Sequence, residues 1–266
     1  VRSGSVMEDV IETLMPYRDG KIFVLSDHNT NKALGKSVVE RLIAEGFHLN
    51  PFTFEPGAHD LLPDESSIGR LLIEMDQDDS YILVVGSGVL NDIARIISFR
   101  TNKPYAIIGT APSMDGYASV TSALVINGKK TSIPGKYPSA IFADLSVMRD
   151  APMIMIQAGF GDVLGKITAL ADWQLSNALT GEYYCEAIAG LVQKAVDKCV
   201  ESTGGLFNKD EHAIGCLIEA LLLTGICIGL AGETRPASGM EHILAHYWDV
   251  KAIEAGREHP LHGNSV

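Results

Sequence analysis

The sequence predicts an α/β domain built on a parallel sheet, followed by an all-α domain. Two observations predict this fold class. Over the first 150 residues, short apolar runs alternate with segments of helical periodicity, which is typical of strand–helix–strand units in a parallel sheet. From about residue 153 onward, apolar residues recur at i, i+3, i+4 and i+7, and no further strand pattern follows. We therefore expect an α/β domain over residues 1–150 and a helical domain over residues 151–266.

The individual elements follow from the same patterns. Strands are predicted at residues 21–26, 81–85, 105–108 and 139–144, and helices between them at 31–45, 67–75 and 91–100. A β-hairpin is predicted from residues 122–126 and 131–133, with its turn at 128–130. The helical domain is predicted to contain helices at 165–180, 184–201, 211–229 and 240–255.

Composition excludes several classes of function. With 46% hydrophobic and 20% charged residues, the 266-residue chain has the composition of a folded protein with a core. Its formal net charge of −12 argues against binding to nucleic acid or to anionic membranes, because both need basic surfaces. A local basic pocket for one small anion remains compatible with this charge.

The cysteines and the apolar segments indicate where in the cell the protein is expected to be. The four cysteines form no Cys-x-x-Cys pair, so we expect reduced core thiols and a cytoplasmic protein. Residues 213–230 could span a bilayer by length, but they contain Glu219 and three glycines, which favours a buried helix and no membrane insertion. The last residues carry no helix stop signal, so the helical domain is expected to be incomplete at its C-terminal end.

A glycine-containing turn follows the predicted strand at 81–85. It reads Gly86-Ser87-Gly88-Val89-Leu90-Asn91-Asp92 and leads directly into a predicted helix. Glycine lets the backbone approach a pyrophosphate, and the free N–H groups of a helix N-terminus favour an anion. The third glycine of the dinucleotide fingerprint is missing, so a plain tight turn stays open as an alternative.

A hydroxyl-rich loop follows the next strand, from Gly109 to Ser119. It lies where open α/β sheets bind ligands, although a loop shaped only by its turn-forming residues has the same composition. Asp27, just beyond the first predicted strand, is expected either to bind a ribose hydroxyl or to cap the following turn.

Histidines and one aspartate form a candidate metal site. His242 and His246 are four residues apart, which places them on one face of a helix, and His259 and His262 follow within 21 residues of His242. Asp162 is expected at the entrance of the first long helix. One carboxylate with two or three imidazoles is the ligand set of a catalytic Zn²⁺ or Fe²⁺. Histidines that are only packed or exposed remain the alternative.

Other polar residues near these segments have simpler interpretations. Lys166 lies one helical turn after Asp162, and Asp172 and Trp173 are expected to be capping and packing residues. Arg235 is either a phosphate clamp or a solvated loop charge.

Five motifs together resemble a known family. They are Gly-x-Gly-x3-Asp from Gly86, Thr-Ala-Pro-Ser-Met-Asp-Gly from Thr110, Gly-Phe-Gly-Asp from Gly159, Arg-Pro-Ala-Ser-Gly-x-Glu-His-x3-His from Arg235 and Leu-His-Gly from Leu261. In this order they resemble the sn-glycerol-1-phosphate dehydrogenases. That family belongs to the wider group of iron-containing alcohol dehydrogenases, glycerol dehydrogenases and dehydroquinate synthases, so the resemblance implies a dehydroquinate-synthase-like fold.

The resemblance implies roles for particular residues. Asp162, His242 and His262 would bind one divalent metal, with zinc favoured and nickel or iron as alternatives. Asp115, Asp162 and His246 would contact the substrate. The residues implied for NAD or NADP are Gly86, Gly88, Val89, Leu90, Asn91 and Asp92 at the pyrophosphate, and Thr110, Ala111, Pro112, Ser113 and Ser119 at the nicotinamide end. A homo-oligomer is also implied.

The implied reaction is the reduction of dihydroxyacetone phosphate to sn-glycerol 1-phosphate. A glycerol or related polyol dehydrogenase is the first alternative, a dehydroquinate-synthase-like cyclase the second, and a non-catalytic nucleotide-binding module the third. Two departures from the family pattern bear on these roles. The turn contains Gly-Ser-Gly where relatives often have three glycines, and Asn264 stands where a Glu usually follows His-Gly. The family's final helices are also absent after Val266.

Overall fold

The computed structural model describes residues 1–57, 60–255 and 261–266, apart from the side chains of residues 253 and 254. The chain forms two compact units. The first contains Val1–Ala111 and Val120–Met148, and the second contains Pro112–Ser119 and Arg149–Val266. The predicted α/β and all-helical fold class is confirmed. The domain limit between residues 150 and 151 stays a prediction.

A five-stranded parallel sheet forms the centre of the first unit. The strands of this unit, including two outside the sheet, are β1 (Lys21–Asp27), β2 (His48–Phe54), β3 (Asp79–Gly86), β4 (Tyr105–Gly109), β5 (Thr121–Ile126), β6 (Lys129–Pro134) and β7 (Ala140–Ala143). The sheet has the order β2-β1-β3-β4-β7, and β5 and β6 form a separate hairpin. Strands β1, β3 and β4 are buried at nearly every position, as expected for a parallel sheet covered on both faces.

The strand order creates a candidate ligand-binding edge. The chain leaves β1 for β2 on one side and returns to β3 on the other side of β1. Open α/β sheets bind ligands at the carboxyl ends of strands where the order reverses in this way. Asp27 ends β1 and Gly86 ends β3, so both lie at that edge.

The described part of the first 150 residues contains six helices. They are α1 (Met7–Leu14), α2 (His28–Thr30), α3 (Lys36–Ala44), α4 (Glu65–Glu74), α5 (Gly88–Thr101) and α6 (Leu145–Asp150). A π-helical segment, Asn31–Gly35, joins α2 to α3, so the predicted helix at 31–45 contains a local change of helix type. A 3₁₀ turn at Met15–Tyr17 follows α1.

Three elements of this part were missed by the sequence patterns. Strand β2 is only half-buried and contains Pro51, which cannot donate to a ladder, so it lacks the apolar run of a central strand. Helix α1 has no capping side chain at its start, and α6 has only six residues. Weak start signals and short length therefore explain why these elements were not predicted.

The β5–β6 hairpin is confirmed, but its predicted turn position is wrong. The turn residues are Asn127 and Gly128, with φ of 49° and 71°, and β6 already begins at Lys129. Positive φ at both positions is the signature of a type I′ turn, for which Asn-Gly is the preferred pair.

The second unit is helical. Its helices are α7 (Met153–Thr180), α8 (Glu186–Glu201), α9 (Thr203–Leu206), α10 (Glu211–Ala231) and α11 (Met240–Glu254), with 3₁₀ turns at Gly116–Ala118 and His262–Asn264. Helix α7 starts twelve residues before the predicted start at residue 165, so placing Asp162 at a helix entrance was wrong. Its three glycines between residues 159 and 165 lower helix propensity, and burial of this segment outweighs that cost.

Within the described residues, two helices, α7 and α10, are long and apolar enough to cross a membrane by length and composition. In the most apolar 18-residue stretch of α10, 67% of the residues are buried within the protein. Glu219 of this helix pairs with Lys198 of α8 at 2.6 Å. Packing inside the second unit therefore accounts for most of the apolar residues of α10. The predicted absence of membrane insertion stays a prediction.

We predict that a buried arginine holds α5 against the hairpin. Arg95 is fully buried, and its Nη1 donates to Asp92 Oδ1 at 2.7 Å and to the Thr121 carbonyl oxygen at 2.9 Å. Arg95→Met should lower the free energy of unfolding by about 3–5 kcal/mol, because it leaves a carboxylate and a carbonyl without their cation. Urea unfolding measures this free energy.

The control is Arg100→Met, at an exposed position of the same helix, which should change the free energy of unfolding by less than about 0.5 kcal/mol. Equal effects of the two variants would contradict the prediction.

Candidate functional site

Three candidate metal ligands come together in the second unit. Asp162 lies on α7, His242 on α11 and His262 in the 3₁₀ turn, and one ligand atom from each lies within 4.8 Å of the others. His242 Nε2 is 3.8 Å from Asp162 Oδ1, and the rings of His242 and His262 have centroids 4.8 Å apart. Asp162 is fully buried and His242 nearly so. One carboxylate and two imidazoles around a common point are a donor set that suits a divalent transition metal.

Glycines allow His262 to reach Asp162. A Cβ atom added at Gly161 of α7 would lie 2.0 Å from the Gly263 carbonyl oxygen, and one at Gly263 would lie 1.7 Å from the Ala158 carbonyl oxygen. The 3₁₀ turn therefore packs backbone to backbone on α7, at a distance that a side chain at either position would prevent. This contact gives the glycines of Gly-Phe-Gly-Asp and Leu-His-Gly a structural role in the site.

A buried lysine bridges two aspartates beside these ligands. Lys166 Nζ lies 2.6 Å from Asp162 Oδ1 and 2.8 Å from Asp115 Oδ2, and the lysine side chain is fully buried. The other oxygen of Asp162, Oδ2, accepts the Asp115 backbone N–H at 2.9 Å. Both oxygens of the carboxylate are therefore oriented by fixed donors.

The charged groups in this cluster shift one another's pKa values. Burial would by itself raise the pKa of Asp162, but Lys166 and His262 outweigh it and hold that pKa below its usual range. Burial opposes the charge of Lys166 as well, yet Asp115 and Asp162 together raise its pKa. Burial and the like charge of Asp162 raise the pKa of Asp115. Asp162 and Lys166 thus form an ionised pair at neutral pH.

The two basic residues considered for a phosphate contact are both engaged. Lys166 is enclosed by its two carboxylates. Arg235 binds the Glu182 carboxylate through Nε and Nη2, each at 2.6 Å, and this pairing lowers the pKa of Glu182 to about 2. The expected roles of Asp172 and Trp173 agree with the structure: Asp172 accepts the Met240 N–H at the start of α11, and Trp173 is buried.

His242 has a carboxylate partner that the sequence patterns did not single out. Glu241 Oε1 lies 2.7 Å from His242 Nδ1 and accepts the Gly239 N–H at 2.8 Å. Burial would raise the pKa of Glu241, but these hydrogen bonds lower it. The only sequence signal is its position next to His242 in the motif.

His246 lies one turn further along α11. Its side chain is 41% exposed, and its Nδ1 is 4.0 Å from the buried Asp249. The ring centroids of His246 and His262 are 5.6 Å apart, so His246 is near the metal ligands but more accessible than they are. His259, the fourth histidine of the cluster, lies outside the described residues.

The glycine-containing turn has the geometry of an anion site. Strand β3 ends at Gly86, α5 begins at Gly88, and the Ser87 side chain makes no capping hydrogen bond. Gly88 and Val89 are partly exposed, whereas Leu90 and Asn91 are buried. Asp92 points to Arg95, as described above. The first turn of a 14-residue helix therefore presents backbone N–H groups next to the end of a central strand, which suits a phosphate group.

Packing also explains why residue 86 is a glycine, since a Cβ at Gly86 would lie 2.4 Å from Leu90 Cδ1. At the end of the neighbouring strand, the Thr110 N–H donates to the Gly86 carbonyl oxygen at 3.0 Å, and Thr110 and Ala111 are buried. Asp27 forms a capping box with Thr30, which agrees with the capping alternative for this residue.

The remaining loop residues, Pro112, Ser113 and Ser119, belong to the second unit with Asp115, and both serines are buried. Gly225 of α10 lies against this loop: a Cβ there would be 2.7 Å from the Asp115 carbonyl oxygen. Close packing on α10 therefore fixes the backbone that carries Asp115.

Comparison with known proteins shows the class first. A family model described as iron-containing alcohol dehydrogenase matches residues 3–152. Among solved structures, a probable glycerol dehydrogenase from Sinorhizobium meliloti 1021 has a TM-score of 0.77 at 18% identity, covering 100% of this chain and 72% of the other. At this low identity, the likeness is one of fold.

Curated relatives narrow the class. A glycerol-1-phosphate dehydrogenase (NAD(P)+) of Bacillus subtilis strain 168 is 40% identical over 246 residues, which are 92% of this chain and 62% of the relative. Another, of Bacillus velezensis, is 35% identical over 100% of this chain and 70% of its own length. The chain therefore belongs to the iron-containing alcohol dehydrogenase family, in the group that contains the glycerol-1-phosphate dehydrogenases. It spans 62% of the length of the Bacillus subtilis relative.

We predict that Gly161→Ala weakens metal binding without unfolding the protein. The added methyl group would collide with the Gly263 carbonyl oxygen and displace His262 from Asp162. Zn²⁺ affinity should fall about ten- to a hundredfold, the loss typical of residues that orient metal ligands. Competition with a chelating dye measures it. Gly190→Ala is the matched control, because a Cβ at Gly190 meets nothing within 4 Å. Wild-type affinity in Gly161→Ala would show that the glycine contact is dispensable.

A second prediction concerns Lys166. In metal-free protein, Lys166→Met should lower the free energy of unfolding by about 3–5 kcal/mol, because two buried carboxylates lose their shared cation. Added Zn²⁺ should restore part of the loss. Urea unfolding with a chelator and with Zn²⁺ tests both statements.

The control for Lys166→Met is Lys198→Met, which removes an exposed ion pair with Glu219. It should lower the free energy of unfolding by less than about 1 kcal/mol. If Lys166→Met kept its stability and changed only the binding of phosphorylated ligands, the lysine would be a phosphate contact instead.

Proposed function

We propose that the protein is an NAD(P)-linked, metal-dependent oxidoreductase that reduces dihydroxyacetone phosphate to sn-glycerol 1-phosphate. The observation that carries the proposal is the convergence of Asp162, His242 and His262 on one point. The names of the Bacillus subtilis and Bacillus velezensis relatives support the cofactor and the phosphorylated substrate.

Asp162, His242 and His262 would hold the divalent metal. Their oxygen and nitrogen donors suit zinc first and also nickel or iron. When bound, the metal would act as a Lewis acid on the ketone oxygen, and NAD(P)H would supply the hydride. The protein's own part begins with Asp162, whose carboxylate is kept ionised and oriented by Lys166 and by the Asp115 N–H.

Two residues near the metal ligands are proposed to contact the substrate. Asp115 would accept a hydrogen bond from a substrate hydroxyl, and its side chain is 14% exposed beside Lys166. His246 would pass a proton to the oxygen of the ketone as its carbonyl carbon is reduced, because imidazole exchanges protons readily near neutral pH. Its partial exposure supports this role, since a proton donor must be reloaded from water.

The cofactor would bind at the first unit's glycine turn. The pyrophosphate would lie against the backbone from Gly88 to Asp92, after the turn at Gly86, where α5 begins. Thr110, Ala111, Pro112, Ser113 and Ser119 would line the nicotinamide end. Preference between NAD and NADP is left open in this proposal.

A glycerol or polyol dehydrogenase is the second candidate function. One observation favours it: Lys166 and Arg235, the two basic residues considered for the phosphate, are both paired with carboxylates. The phosphorylated substrate therefore requires a cationic contact other than these two. Homo-oligomer formation, a cytoplasmic location and the absence of nucleic-acid binding complete the proposal, the last supported by the net charge of −12.

The deciding experiment compares two ketones. The full-length protein, loaded with Zn²⁺, should reduce dihydroxyacetone phosphate with a kcat/KM at least roughly tenfold above that for dihydroxyacetone, because a charge-assisted phosphate contact contributes about 1.5–3 kcal/mol. NADH and NADPH oxidation report the rates. Chelation should abolish activity, and Zn²⁺ should restore it. His242→Ala should lose metal and activity together.

Equal efficiencies for the two ketones would refute the phosphorylated substrate and favour the polyol dehydrogenase. Full activity in a metal-free His242→Ala variant would refute the metal site.

A further inference from the structure

We infer that Glu241 is a positioning residue that holds His242 in the tautomer whose Nε2 faces the metal site. This inference deepens the proposed function, on whose metal site it rests. It assigns a role to a carboxylate that would not itself touch the metal, the cofactor or the substrate.

The hydrogen bond between the two side chains fixes the proton. Glu241 Oε1 is 2.7 Å from His242 Nδ1. An ionised carboxylate can only accept, so the ring must carry its proton on Nδ1. The neutral ring then has its lone pair on Nε2, the nitrogen that lies 3.8 Å from Asp162 Oδ1. Metal ligation requires an unprotonated nitrogen, and this tautomer provides it where the other ligands converge.

Close packing holds the carboxylate in place. Its Oε1 also accepts the Gly239 N–H at 2.8 Å, and a Cβ added at Gly239 would lie 2.8 Å from Oε2 and 2.9 Å from Ala169 Cα of α7. A Cβ at Gly165 would lie 3.4 Å from Glu241 Cγ. The glutamate side chain is thus confined between α7 and the start of α11, with only 10% of it exposed.

The other carboxylate oxygen is left without compensation. Oε2 of Glu241 is buried and makes no hydrogen bond within the described part of the chain. Burying half of a carboxylate in this way is costly, and an apolar residue would avoid the cost. A negative charge at this position is therefore better explained by what it does to His242 than by stability.

A purely structural role, anchoring α11 to α7, is the competing explanation. Asp172 already performs that task, because its Oδ2 accepts the Met240 N–H at 2.6 Å in the same turn of α11. Asp172 does not hydrogen-bond His242, so it provides the matched control for Glu241.

The experiment uses Glu241→Gln, Glu241→Ala and Asp172→Asn in the full-length protein. Glutamine keeps an oxygen that accepts from Nδ1 but loses the charge, so the Zn²⁺ dissociation constant should rise about tenfold. Alanine loses both the acceptor and the charge, so the dissociation constant should rise by up to about a hundredfold. Asp172→Asn should keep the wild-type value. Competition with a chelating dye gives the constants.

A second readout detects the tautomer directly. In metal-free protein above the pH at which imidazole titrates, two-bond ¹H–¹⁵N spectra should show His242 protonated on Nδ1 in the wild type and in Glu241→Gln. Glu241→Ala should show a mixture of tautomers. A structural role alone would not move this signal.

Three results would overturn the inference: a wild-type His242 protonated on Nε2, wild-type Zn²⁺ affinity in Glu241→Ala, or equal weakening in Asp172→Asn and Glu241→Ala. If the wild type bound no Zn²⁺ at all, the proposed function would fail instead, and the metal-free tautomer would still decide the role of Glu241.

Discussion

The buried contact between Lys166 and Asp162 is the interaction on which the arrangement of the candidate site depends. An ionised carboxylate in the middle of an apolar helix is tolerated only if a cation and hydrogen-bond donors replace its hydration. Lys166, one turn further on α7, supplies the cation, and the Asp115 backbone supplies a donor. The same two contacts orient the carboxylate toward the histidines. The stability of α7 and the proposed metal site therefore require the same arrangement of these residues.

Much of the fold could be predicted from local patterns, because buried strands and long amphipathic helices leave periodic signals. The central strands β1, β3 and β4 were found for this reason. The start of α7 was misplaced because glycine propensity is local, whereas the burial that stabilises this segment depends on residues distant in sequence. Strand β2 was missed because an edge strand with a proline has little pattern to detect.

The candidate site could be predicted in part. Asp162, His242 and His262 were found by residue type and motif, and the structure brings their ligand atoms together. The sequence could not reveal that Glu241 hydrogen-bonds His242, or that Arg235 is neutralised by Glu182 from a different loop. Such pairings depend on side-chain direction and tertiary packing, which spacing does not encode. The motif glycines at 161 and 263 were recognised, but their backbone-to-backbone contact was visible only in three dimensions.

The engagement of Lys166 with two aspartates has a consequence for the order in which ligands arrive. Its positive charge is already balanced by carboxylates, so it offers little attraction to an incoming anion. Before a divalent cation is present, the surroundings of Asp162 would repel a phosphorylated ketone. The divalent cation of the proposed function would reverse the local electrostatic potential by adding two positive charges. The proposed function therefore implies an ordered association, with the cation first and the anionic ligand second.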